Sequence, residues 1–305
     1  MSLTHFTMPS KYSSLTLFIL PLSYLLTAIF FAALLAYPIY TLLDLNISFP
    51  RLVNRLGLGL LMLAIIPMAG KINLSLLEMG FAPDFSTILR QFSRGFLLGL
   101  LILGVITLVL LWLDIRVIRE SEIARDRLLY NLSSAIATGL IVSILEETLF
   151  RGLLFRSLFR WGNLRSAVLI TAFFYAGLHF VGGRGSVPTN EIGWATGLQL
   201  VPAALLQIFD PSNLDSFLAL FAVSVFLTTV LIERPNGIGY CIGLHAAWVF
   251  VLKLTKRYTE VTTDTPFGFL VGSHDGVIGI LVFAWLSVLT LIYWLKIRRK
   301  QDQQL

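Results

Sequence analysis

Three stretches of this 305-residue chain place ionisable side chains inside apolar runs, where a charge is costly and tends to face the protein interior. The first is Ile144-Leu145-Glu146-Glu147-Thr148-Leu149-Phe150-Arg151. On a helix, residues i and i+4 share a face while neighbours point about 100° apart, so Glu147 can pair with Arg151 and Glu146 points elsewhere. The second is His179 in Phe173-Phe174-Tyr175-Ala176-Gly177-Leu178-His179, with Tyr175 one turn earlier and small neighbours that let another helix approach. The third is His245 in Gly243-Leu244-His245-Ala246-Ala247, again among small residues. A carboxylate and two imidazoles on three apolar segments suit general-base chemistry: one group activates water and another steadies an oxyanion. The same three side chains also suit zinc, and spacing alone does not choose between the two.

Each element has a structural alternative. Glu-Glu-x-x-x-Arg at a helix end also serves as an ion pair that fixes topology, and a single histidine in a membrane helix also serves as an interhelical hydrogen-bond donor. The three together on different spans favour a site. His5, in the polar N-terminus, and His274, in the Gly272-Ser273-His274-Asp275-Gly276 turn, read as solvated loop residues. The six tryptophans fall mostly near span ends, as an interfacial belt requires.

The elements that carry these residues are membrane helices. AVILMFWYC residues make up 56% of the chain, charged residues only 13%, and the mean hydropathy is +0.82. No water-soluble core needs that much apolar surface, so the surplus faces lipid. Apolar runs between charges are long enough to cross a hydrocarbon layer of about 30 Å. The composition therefore predicts an all-α, polytopic membrane helix bundle of about eight transmembrane helices, near 15–43, 52–70, 95–113, 131–150, 164–182, 213–232, 237–254 and 277–296. The first reads as a retained helix, too long for a signal-peptide core. The polar Glu233-Arg234-Pro235-Asn236-Gly237 predicts a tight turn between two helices of a hairpin.

Two stretches fall outside this pattern. Asp114 to Tyr130 mixes acidic and basic residues at helical spacing and predicts an interfacial helix, while the apolar Trp194 to Phe209 predicts a segment lying along or dipping into the membrane. The organisation expected is one membrane domain over 1–305, with a catalytic core at 130–255 preceded at 1–129 by transmembrane helices and the interfacial helix. A slight excess of Lys and Arg, concentrated in Lys296, Arg298, Arg299 and Lys300 and around Arg151 to Arg165, favours cytoplasmic N- and C-termini in a plasma (inner) membrane. The net charge of +6 sits at span ends, as in a membrane anchor, so no nucleic-acid partner is implied. The single Cys241 precludes a disulfide framework or a cysteine-based metal site within one chain.

Glu146-Glu147-x-x-x-Arg151, then Tyr175-x-x-x-His179, then His245-Ala246 after an apolar hairpin, together resemble the CPBP (CAAX-processing and bacteriocin-processing, or Abi) intramembrane proteases. The resemblance spans roughly residues 130–255. It implies a glutamic-type peptidase in which Glu146 activates water, His179 assists, Glu147 and Arg151 orient the site, and His245 helps bind the oxyanion. It implies no catalytic metal and no cofactor. Two positions depart from the family pattern. Tyr175 stands where Phe is common, and Val249 where an Asn often completes the oxyanion hole. Loss of one such donor typically costs about 100- to 1,000-fold in rate.

The activity expected is hydrolysis of a peptide bond in a membrane-associated substrate: a prenylated C-terminus, a leader peptide or a sorting tail. The competing readings are a proton-coupled transporter or silent scaffold, and a zinc-dependent membrane protease. No internal repeat supports a transporter, and the His-Glu-x-x-His motif is absent.

Overall fold

The computed structural model describes residues 12–43, 47–119, 127–182, 187–262 and 265–302. The architecture is that of a helical polytopic membrane protein. Six helical runs are long and apolar enough to cross a membrane: Ser14–Leu43, Phe49–Lys71, Phe85–Trp112, Leu128–Trp161, Pro211–Glu233 and Ile238–Tyr258. Shorter apolar helices occupy Leu164–Leu178, Thr196–Phe209 and Ile280–Lys296. Each of the eight expected spans falls largely on helix, near 164–182 on the 15-residue Leu164–Leu178 and near 277–296 on Ile280–Asp302.

The chain divides into two compact units, one built from residues up to 74 together with 156–214, the other from 75–155 and 215 onward. In the first, α1 (Ser14–Leu43) packs on α2 (Phe49–Leu63), α3 (Ile65–Lys71) follows α2, and α6 (Arg156–Trp161), α7 (Leu164–Leu178) and α8 (Thr196–Leu206) complete the unit. Asn163 caps α7 by accepting from Ser166 N at 2.9 Å. The apolar stretch from Trp194 forms α8, which lies so close to α1 that a Cβ at Gly197 would collide with the Ala33 carbonyl. An apolar groove opens among Leu25, Val53, Asn54, Leu178, Val181 and Leu200.

The second unit is organised around α10 (Ile238–Tyr258), flanked by α4 (Phe85–Trp112) and α5 (Leu128–Glu147) and accompanied by α9 (Leu214–Glu233) and α11 (Ile280–Asp302). Small residues make this packing possible, since apolar helices in lipid gain little from burial alone and associate by close contact. A Cβ at Gly99 of α4 would meet the Leu244 carbonyl at 2.7 Å, and one at Gly139 of α5 would meet the Ala246 carbonyl at 2.6 Å. The two residues flanking His245 are therefore the points where α4 and α5 press on α10. Leu97, Leu101, Leu108 and Trp112 on the opposite side of α4 are exposed, as a lipid-facing stripe should be.

The polar turn before α10 is tight, with Gly237 N donating to the Arg234 carbonyl at 2.7 Å and the Arg234 guanidinium 4.4 Å from the centre of the Tyr240 ring. The stretch from Asp114 differs from the expected interfacial helix. Arg116–Ile118 (β1) pairs antiparallel with Thr259–Val261 (β2), in the register Arg116 opposite Val261. The mixed charges there serve strand and loop contacts. Arg116 donates to the Thr259 carbonyl at 2.9 Å and to the Gly276 carbonyl at 2.7 Å, and burial pushes its guanidinium pKa below the usual value. The rest of that stretch, residues 120–126, lies outside the described residues, as does His5.

Candidate active site

In the second unit Glu147 ends α5, and its carboxylate is fully buried. Arg151, also fully buried, reaches back across one turn. Its Nε lies 3.1 Å from Glu147 Oε2 and its Nη1 donates to Oε1 at 3.2 Å. Together they make a close ion pair between two fully buried groups, with the hydrogen bond carried by Nη1. Arg151 Nη2 also approaches the Ser224 carbonyl of α9 at 3.4 Å. The backbone here is not regular: Thr148–Phe155 winds as a π-helix, a form often found where function demands an altered register. Nothing in the residue pattern signals this widening, which continues the helix past the expected span end near residue 150.

His245 sits across from this pair on α10, 5% exposed. Its Nδ1 lies 2.8 Å from Glu147 Oε1, and its Nε2 lies 3.8 Å from Glu146 Oε2. Since a carboxylate only accepts, Nδ1 carries the proton and Nε2 is turned towards Glu146. Glu146 is half-buried, and its Oε2 has no hydrogen-bond partner among the described residues. Of two adjacent carboxylates, one is therefore held by an arginine and a histidine, and the other faces the histidine's remaining nitrogen uncommitted.

His179 and Tyr175 belong to the first unit. His179 is the C-cap of α7 rather than a residue within the span, and it is half-buried. Its Nδ1 lies 2.7 Å from the Tyr175 carbonyl, which can only accept, so the ring's Nε2 is the free acceptor in the neutral form. The Tyr175 ring is fully buried and packs on the imidazole with centroids 4.8 Å apart. Leu178 and Val181, on either side of His179, line the apolar groove of that unit.

Val249 is half-buried, one turn beyond His245 on α10. No group of three or more His, Cys, Asp or Glu side chains among the described residues is arranged to hold a metal ion. His274 is exposed.

Residues 128–251 match the family model for Rce1-like type II CAAX prenyl endopeptidases. The chain carries a CPBP-type protease domain. The matched residues include Glu146, Glu147, Arg151, Tyr175, His179, His245 and Val249. No curated protein and no solved structure matched the chain. The domain and the six span-length helices together make this an integral membrane protein of the CAAX-protease type.

Two participants were not legible beforehand. The Ser224 carbonyl is an ordinary backbone group of α9, and nothing in the sequence marks it. Trp248 departs from the interfacial belt expected of tryptophan: it is 7% exposed, packs against Phe226 with centroids 6.0 Å apart, and its Nε1 has no hydrogen-bond partner among the described residues.

Proposed function

We propose that this protein is a glutamic-type intramembrane endopeptidase in which Glu146 is the base that activates water. The observation that carries the reading is the unequal treatment of two adjacent carboxylates. Glu147 is consumed by Arg151 and His245, while Glu146 stands 3.8 Å from His245 Nε2, its Oε2 without a hydrogen-bond partner among the described residues. A carboxylate left without donors in an apolar span is a poor structural element and a good proton acceptor.

In this mechanism Glu146 takes a proton from a water molecule as the water oxygen bonds to the scissile carbonyl carbon. The carbonyl π electrons move onto oxygen, giving a tetrahedral oxyanion. His245 stands beside this centre. With Nδ1 committed to Glu147, its Nε2 is the one nitrogen that faces the reacting groups, and in the imidazolium form it donates to the oxyanion. Collapse of the intermediate re-forms the carbonyl and breaks the carbon–nitrogen bond, and the proton held by Glu146 passes to the leaving amine. Glu147 and Arg151 act as positioning residues that hold the imidazole in one tautomer. His179 assists proton transfer through Nε2, the nitrogen its contact with the Tyr175 carbonyl leaves free.

No step in this sequence requires a metal or cofactor. The substrate is a membrane-associated peptide or protein, with a prenylated C-terminus, a leader peptide and a sorting tail as the candidate classes. The apolar groove beside the His179 turn suits a lipid anchor, and the basic tail favours cytoplasmic termini in the plasma (inner) membrane. The organisation we favour is a catalytic core at 130–255 within a single membrane domain.

The test is cleavage of prenylated and transmembrane-tail peptides by purified protein, comparing wild type with Glu146→Gln. Cleavage lost in the variant supports the assignment. Equal cleavage by both forms refutes it.

A further inference from the structure

Threonine hydroxyls in the apolar helices of this protein have a regular place. Those of Thr107, Thr138, Thr229 and Thr290 each donate to the carbonyl four residues earlier, at 2.7–3.1 Å, the local bond by which a helix satisfies a hydroxyl away from water. Two residues of α9 depart from this pattern. Ser224 and Thr228 are fully buried, yet Ser224 Oγ and Thr228 Oγ1 have no hydrogen-bond partner among the described residues, while the adjacent Thr229 follows the rule. A hydroxyl buried without a partner is destabilising, so two of them one turn apart mark a place where a polar ligand belongs.

The acceptor that Thr228 forgoes says where that place is. A threonine at 228 ordinarily takes the carbonyl of residue 224, and that carbonyl is the one that Arg151 Nη2 approaches at 3.4 Å. The Thr228 side chain therefore leaves α9 next to the guanidinium that holds Glu147, and Ser224, four residues earlier, shares its face. Cβ atoms four residues apart on a helix are about 5–6 Å from one another, a gap that one water closes with two hydrogen bonds of about 2.8 Å. With the guanidinium beside it, a water there has three polar neighbours, within the range that internal waters require.

We propose that Ser224 and Thr228 hold an internal water that braces Arg151, which makes both hydroxyls positioning groups of the site. The water accepts from Arg151 Nη2 and bonds to both hydroxyls. The guanidinium then keeps its place against Glu147, and Glu147 in turn fixes the imidazole of His245. For its effect on rate this inference rests on the peptidase reading of Glu146 and His245, whereas the water site itself does not.

The first test needs no turnover. A structure of the full chain at a resolution that shows ordered water should have density within hydrogen-bond distance of both hydroxyls, and the Ser224→Ala/Thr228→Val double variant should lack it. Wild type without that density overturns the proposal. The thermal midpoint in detergent supplies an independent sign. Valine matches threonine in shape, so Thr228→Val raises the midpoint if the hydroxyl merely lacks a partner and lowers it if the hydroxyl holds water. A rise overturns the proposal. In steady-state kinetics on a cleaved peptide, the double variant should lower kcat about tenfold at unchanged KM, the size of effect one lost hydrogen bond allows, and Thr228→Ser should retain most of the rate. Unchanged kcat in the double variant, or an equal loss in Thr228→Ser, overturns the positioning role. Wild type that holds the water but cleaves no peptide removes the peptidase reading and with it the effect on rate, whereas cleavage without the water removes this site alone.

Discussion

His245 Nδ1 lies 2.8 Å from Glu147 Oε1, and through that contact a histidine of α10 is tied to an ion pair at the end of α5. The histidine's orientation, and hence which nitrogen faces Glu146, depends on a residue that itself touches no reacting atom. Glu147→Gln should therefore lower kcat while leaving substrate affinity nearly intact, because the amide no longer holds the same tautomer. Steady-state kinetics on one peptide decides this, and a variant with altered KM and unchanged kcat would argue against a positioning role.

Arg151→Met should be the more damaging change to the protein itself. It leaves the Glu147 carboxylate fully buried with only His245 for company, and breaking a buried pair from one side typically costs about 3–5 kcal/mol. Membrane abundance and the thermal midpoint in detergent should both fall. A variant as abundant and as heat-resistant as wild type would show that the pair contributes little to folding.

Glu146→Gln and His179→Ala should abolish cleavage, the first at unchanged abundance, since Glu146 Oε2 makes no hydrogen bond among the described residues, the second with some loss of abundance, since the His179 ring bonds and packs on Tyr175 at the end of α7. The informative comparison is activity per folded molecule. Substantial turnover by either variant would remove that residue from the mechanism.

Val249→Asn should raise kcat, because it places an amide donor one turn from His245 where the family commonly has one. An added oxyanion donor can be worth up to about 100-fold, and the gain measured here shows how far another donor already serves. A fall in kcat would mean that the site is closed to a side chain of this polarity.

Cleavage should persist in the presence of a strong chelator, as the glutamic mechanism routes every proton through side chains. Activity abolished by chelator and restored by zinc would transfer Glu146, His179 and His245 to the metal reading.

Gly139→Leu should prevent accumulation of folded protein, because a Cβ there would already come within 2.6 Å of the Ala246 carbonyl. Pulse-labelled abundance checks this, with Gly104→Leu as the control, since a Cβ at Gly104 has open space.

The membrane character and the helical class follow from composition alone, since 56% apolar residues in runs of span length leave no other stable arrangement. The Glu147–Arg151 pair was equally accessible to sequence, as local helical geometry dictates which residues share a face. The strand at Arg116–Ile118 was not, because its partner lies at Thr259–Val261, far along the chain, and the local charge pattern suits a helix as well.

The same division runs through the site. Sequence singles out Glu146, Glu147, Arg151, His179 and His245, because an ionisable group in an apolar run is conspicuous wherever it occurs. It does not say which glutamate His245 would hold, since that depends on how α10 seats against α5, and the close approach of Gly139 to Ala246 sets that depth. Nor does it reveal the π-helical turn at Thr148–Phe155, or that Lys253 would face two hydroxyl side chains instead of a carboxylate. The residue types that can do chemistry are a property of the chain, while the division of labour among them is a property of helix packing, because contacts of about 3 Å depend on separations that no local periodicity encodes.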